Sequence, residues 1–103
     1  MLKYYIIVCF SIIIFACSGG KKEVPQAPKI DGEKLFKTNC VLCHGEDGKL
    51  GLNNSKDLSV SMLTMEERVE MITNGKNLMV GFSALLDADQ IKALAEYTLT
   101  LKK

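Results

Sequence analysis

Tryptophan is absent, histidine occurs once, and no proline follows Pro28. Each absence removes a class of answer. A single histidine, His44, excludes any site that needs two imidazoles from one chain. Charge of one sign is also lacking: 13 basic residues face 12 acidic ones, a net charge of +1. No basic excess exists to neutralise phosphates, so nucleic-acid binding is not expected. No alternating strand pattern of useful length occurs, and there is no internal repeat. At 103 residues the chain has room for one small domain. That excludes a polytopic membrane protein, a multidomain enzyme and a large α/β fold.

The apolar residues are unevenly spread. Of the first 16 residues, 14 are hydrophobic; beyond them the share falls to about 40%. Only three aromatics remain there: Phe36, Phe82 and Tyr97. A domain of that composition is marginal on side-chain burial alone. It calls for a disulfide, a metal or a cofactor.

The start of the chain reads as an export signal, residues 1–16. Lys3 supplies a short charged beginning, and Ile6 to Ala16 forms an apolar run of 11. That suits a signal sequence and falls short of the roughly 20 residues that span a bilayer. The run ends Ile14-Phe15-Ala16-Cys17, which resembles a bacterial lipoprotein signal. There the cysteine thiolate accepts a diacylglyceryl group and becomes the mature N-terminus. The resemblance implies lipidation at Cys17 and a membrane anchor; an uncleaved N-terminal transmembrane anchor is the alternative. Residues 17–29 are then the lipidated cysteine and a flexible linker containing Gly19, Gly20 and both prolines. As a random coil it would hold the domain roughly 20 Å from the anchor.

Residues 30–103 are expected to form one all-α domain. The first helix starts near Asp31, a plausible N-cap, and runs to about Asn39. The second opens on Thr64-Met65-Glu66-Glu67, which fits a capping box, and Gly75 offers its stop. The third opens on the box-like Asp87-Ala88-Asp89-Gln90; Ile91, Leu94, Ala95, Thr98 and Leu101 line one face. Between the first two lies a polar, glycine-rich stretch, Gly45 to Ser61. It is long for a structureless loop, so it should be functional or wrapped around something.

Cys40-Val41-Leu42-Cys43-His44 is a C-x-x-C-H sequence, the attachment signature of c-type haem. Two thiols three residues apart can form thioethers with the two vinyl groups on one porphyrin edge. The adjacent histidine then projects over the face and binds iron. A zinc site would need a fourth ligand beyond Cys40, Cys43 and His44. A thioredoxin-like dithiol usually sits in a βαβ setting, which this chain lacks. A plain disulfide would leave His44 and the long polar loop unexplained.

The stretch from Gly32 to Gly48, with Cys40-Val41-Leu42-Cys43-His44 at its centre, resembles the start of a small bacterial class I cytochrome c. Ile72 to Phe82 resembles that family's distal-ligand loop, and Leu86 to Leu101 its C-terminal helix. The resemblance implies a class I cytochrome c fold: about three main helices around one haem c, covalently bound through Cys40 and Cys43. It implies His44 and Met79 as the iron ligands. The residues leave Met62 as a second candidate. Met65 and Met71 fall within the second helix, whereas Met79 lies between Gly75 and Gly81. Val80 stands where the family usually has proline. Gly32 and Phe36 are expected to meet Tyr97 where the first and last helices cross. Leu52, Leu58, Leu63, Phe82, Leu85 and Leu94 are candidates for the pocket lining. The family often fixes its histidine ring with a proline carbonyl; here another residue's carbonyl must accept from His44.

The function so implied is one-electron transfer between respiratory redox partners, without catalysis, by a monomer tethered outside a bacterial membrane. Its place would be the periplasm or outer surface. A haem enzyme of peroxidase type, or a gas sensor with a labile sixth ligand, is the alternative. Residues 30–103 carry 9 basic and 11 acidic side chains, too balanced to identify a partner by charge.

Overall fold

Asp31 caps the first helix, its carboxylate accepting from the Lys34 N–H at 3.0 Å. This is seen in a computed structural model that describes residues 19–20 and 25–103. The signal segment and Cys17 lie outside the described residues. Helix α1 spans Gly32–Asn39 and breaks at Cys40, whose φ of −117° leaves the helical range. The chain then makes one further turn, α2, Val41–His44, ended by Gly45. The C-x-x-C-H sequence is therefore not a smooth continuation of the first helix. The break gives Cys43 and His44 a turn of their own.

The polar stretch after α2 contains two single 3₁₀ turns, Leu52–Asn54 and Leu58–Val60. Helix α3, Met65–Asn74, opens on the expected capping box. Glu67 N–H donates to the Thr64 hydroxyl, and Thr64 N–H donates to the Glu67 carboxylate. A small antiparallel hairpin comes next, which the sequence pattern did not signal: β1, Gly75–Lys76, pairs with β2, Met79–Val80. Helix α4, Ala88–Thr100, opens on the second expected box, formed by Asp87 and Gln90.

Helices α1 and α3 both pack on α4. The core is Phe36, Ile72, Phe82, Ile91, Leu94 and Ala95. The Phe36 and Tyr97 rings lie 5.2 Å apart, tilted by 52°. Gly32 makes the α1–α4 crossing possible: a Cβ there would lie 2.3 Å from the Ala93 carbonyl oxygen. Backbone cannot yield as a side chain does, so the helices would have to separate. Gly32→Ala is expected to cost about 2 kcal/mol, read as a lower urea midpoint. An unchanged midpoint would mean that the crossing relaxes freely.

No helix among the described residues is long and apolar enough to cross a membrane.

Candidate functional site

The half-buried His44 ring has its Nδ1 3.1 Å from the carbonyl oxygen of Lys56. A carbonyl can only accept, so Nδ1 carries the proton and donates. That leaves the Nε2 lone pair free for a metal. The acceptor expected in place of a proline carbonyl is thus Lys56. Nothing in the sequence pointed to it, because every residue carries the same backbone oxygen.

Cys40 and Cys43 are free and half-buried. Cys40 packs against the core beside Phe36 and its neighbours. Burial, with a smaller contribution from Cys43, pushes the Cys40 thiol up to about 11. It is a neutral group at pH 7. A thioether, which never ionises, suits that environment equally well. Among the described residues no group of three or more His, Cys, Asp or Glu could hold a metal ion. The zinc alternative therefore has no ligand set among them.

Met79 is half-buried and packs against the same core as Cys40. Lys76 pairs with Met79, and Gly75 with Val80. Gly75, at φ 70°, brings the strands together; a Cβ there would lie 2.3 Å from the Met79 carbonyl oxygen. The chain after the hairpin is tied back to α3: Phe82 N–H donates to Ile72 O at 2.8 Å, and Ser83 N–H to Thr73 O at 3.3 Å. Met62, the competing candidate, is 81% exposed.

Large apolar side chains crowd the surface of two segments. Leu50, Leu52, Val60 and Leu63 come from the polar stretch and its end; Leu78, Val80 and Leu85 come from the hairpin and the chain leading to α4. Apolar surface left exposed on these two segments is available to be covered by a bound group. Together with a two-thiol, one-imidazole donor set and a half-buried methionine, it fits a large apolar ring carrying a metal. Two expected lining residues do not belong to it. Leu94 is fully buried between helices and Phe82 nearly so, leaving them no open face for a cofactor. Leu52, Leu63 and Leu85 do have free surface, and Leu58 is half-buried.

Arg68 is the feature that the sequence reading missed. Only 3% of it is exposed. Its Nε donates to Leu63 O at 3.0 Å, one terminal nitrogen to the Thr98 hydroxyl at 2.9 Å, and the other to Ser61 O at 3.1 Å. It thereby binds α3, α4 and the strap before α3 together. Burial lowers its affinity for the proton, yet no carboxylate pairs with it among the described residues. A signal existed: Arg68 is the only arginine in the chain, and it lies on the apolar stripe between Met65 and Ile72.

Comparison with known proteins gives concordant matches. The family described as cytochrome c oxidase, cbb3-type, subunit III matches residues 27–97. Cytochrome c6 of Nostoc sp. is 30% identical over 105 residues, covering 96% of this chain and 93% of that protein. Cytochrome c6 of Leptolyngbya boryana is 38% identical, covering 66% of this chain and 86% of that protein. The solved structure of the KustC0563 c-type cytochrome superposes with a TM-score of 0.65 at 30% identity. It covers 72% of this chain and 100% of that one.

Proposed function

The chain belongs to the small c-type cytochromes, and from that premise we propose that it is a monohaem one-electron carrier of His/Met ligation, lipid-tethered outside a bacterial membrane. Membership of the family implies covalently bound haem c. Cys40 and Cys43 would hold it by thioethers, and His44 and Met79 would be its iron ligands. Bound haem supplies one iron that alternates between ferrous and ferric states. The chain's own residues do the rest. The Lys56 carbonyl orients the His44 ring and strengthens it as a donor. The core around Phe36 holds Cys40, the hairpin presents Met79, and the apolar side chains of both loops exclude water.

The observation that carries this reading is the His44–Lys56 hydrogen bond. It occupies Nδ1 and leaves Nε2 as the one imidazole nitrogen free to bind, within the C-x-x-C-H sequence itself. A carrier rather than an enzyme is favoured by the same residues. Peroxide chemistry needs an acid–base group on the open side of the iron. His44 is the only histidine, and the Arg68 guanidinium is committed to Ser61, Leu63 and Thr98.

The test is absorption spectroscopy of the full chain, produced in a host that matures c-type cytochromes. Haem that survives acid extraction and shows low-spin bands in both oxidation states is the expected result. Absence of a Soret band would overturn the reading. The anchor is tested separately. Mass spectrometry should find a diacylglyceryl-modified Cys17 as the first residue; an unmodified Cys17 or a retained Met1 would remove the lipoprotein reading.

A further inference from the structure

The bond from His44 to Lys56 depends on whatever holds the Lys56 carbonyl in place. Its oxygen lies in the peptide plane joining Lys56 to Asp57. That plane turns when the Asp57 backbone rotates about N–Cα. One residue further on, the chain is fixed: Leu58 N–H donates to Gly48 O at 2.9 Å. The freedom that remains is at Asp57 itself. Its φ is −68°, the value a proline ring would impose, but here no ring imposes it.

Hydrogen bonds restrict it instead. The Asp57 carboxylate accepts from Ser59 N–H at 2.8 Å and from the Ser59 hydroxyl at 2.6 Å, closing a turn on its own backbone. Ser59 is 2% exposed and cannot move freely. Its carbonyl accepts from Lys103 N–H at 3.1 Å, which latches the turn to the chain beyond α4. The Ser59 hydroxyl, and then its N–H, hold the Asp57 carboxyl below its ordinary value, so it is ionised at neutral pH.

We propose that Asp57 and Ser59 are positioning residues for the metal-binding histidine: their turn sets the Lys56 carbonyl against His44 Nδ1 and thereby tunes the reduction potential. The proposal rests on His44 being the haem ligand. A well-aimed carbonyl gives the imidazole more anionic character, which favours ferric iron and lowers the potential. A loosened turn weakens that bond and raises the potential.

The test compares Asp57→Asn with Asp57→Ala in the full haem-loaded chain. Both remove the same charge, so a difference between them reports position and not electrostatics. Asn keeps an oxygen that accepts from Ser59 and should leave the potential near that of an Asp57 protein corrected for charge. Ala should raise it further, and should speed hydrogen exchange at the His44 Nδ1–H of the ferrous protein. Ser59→Ala keeps the Asp57 charge and removes one of the two bonds, so its Nδ1–H exchange rate should fall between those of wild type and Asp57→Ala. Equal potentials and equal exchange rates in the Asn and Ala variants, with only thermal stability differing, would overturn the proposal. A wild-type protein whose haem is not ligated by His44 would overturn the parent reading, and is recognised first by its spectrum.

Discussion

Met79→Ala is expected to convert a six-coordinate, low-spin haem protein into a high-spin or water-ligated one. Its potential should fall, because thioether ligation favours ferrous iron. The reduced variant should bind carbon monoxide rapidly and stoichiometrically, which the parent should not. The size of the effect comes from the absence of a substitute. No second histidine exists, Met65 and Met71 are held within α3, and Met62 points to solvent. Met62→Ala is the matched control and should leave the spectrum unchanged. If the two variants exchanged behaviours, Met62 would be the ligand.

The residue after Met79 bears on how firmly this proposed ligand is held. Val80 replaces the proline common in the family and is 65% exposed. Proline would stiffen this point by restricting φ. In this protein the stiffness has other sources. The strands close on Gly75, and Phe82 and Ser83 are hydrogen-bonded to the last turn of α3. The loop is thus anchored on both sides of Met79 by backbone contacts.

Arg68→Ala is expected to destabilise the domain by about 3 kcal/mol. The substitution strands the carbonyls of Ser61 and Leu63 without a donor and leaves a cavity between α3 and α4. Arg68→Met, which keeps much of the stem's volume, should cost less, about 2 kcal/mol. Arg68→Lys should not rescue fully, because an ammonium cannot reach three separated acceptors as a planar guanidinium does. Urea unfolding of the haem-loaded protein measures all three. A double-mutant cycle with Thr98→Val then isolates the bond joining α3 to α4. An Arg68→Ala midpoint equal to wild type would mean that water replaces the guanidinium at no cost.

The capping residues Asp31, Thr64 and Asp87 start the three main helices where the sequence placed them. A cap is a bond between residues three apart, so its signal is local. The C-x-x-C-H sequence is contiguous for a similar reason: in c-type cytochromes the porphyrin's own dimensions set its spacing. The contact of Gly32 and Phe36 with Tyr97 was implied by the family resemblance, and the structure shows it: the Phe36 and Tyr97 rings lie 5.2 Å apart, with Gly32 against Ala93 and Tyr97. Other features depend on which distant segments meet. Lys56 serves His44 through an oxygen that every residue possesses, so only the path of the chain selects it. Leu94 and Phe82 are apolar like the pocket residues; packing of α3 and α4 encloses them instead. Arg68 stands where periodicity calls for an apolar side chain. It is tolerated there because folding brings Ser61, Leu63 and Thr98 to its three nitrogens. Residue types and short spacings determined the helices, the motif and the kind of cofactor. Tertiary structure alone decided which distant polar groups meet, because a hydrogen bond between distant segments exists only once the backbone has delivered both partners.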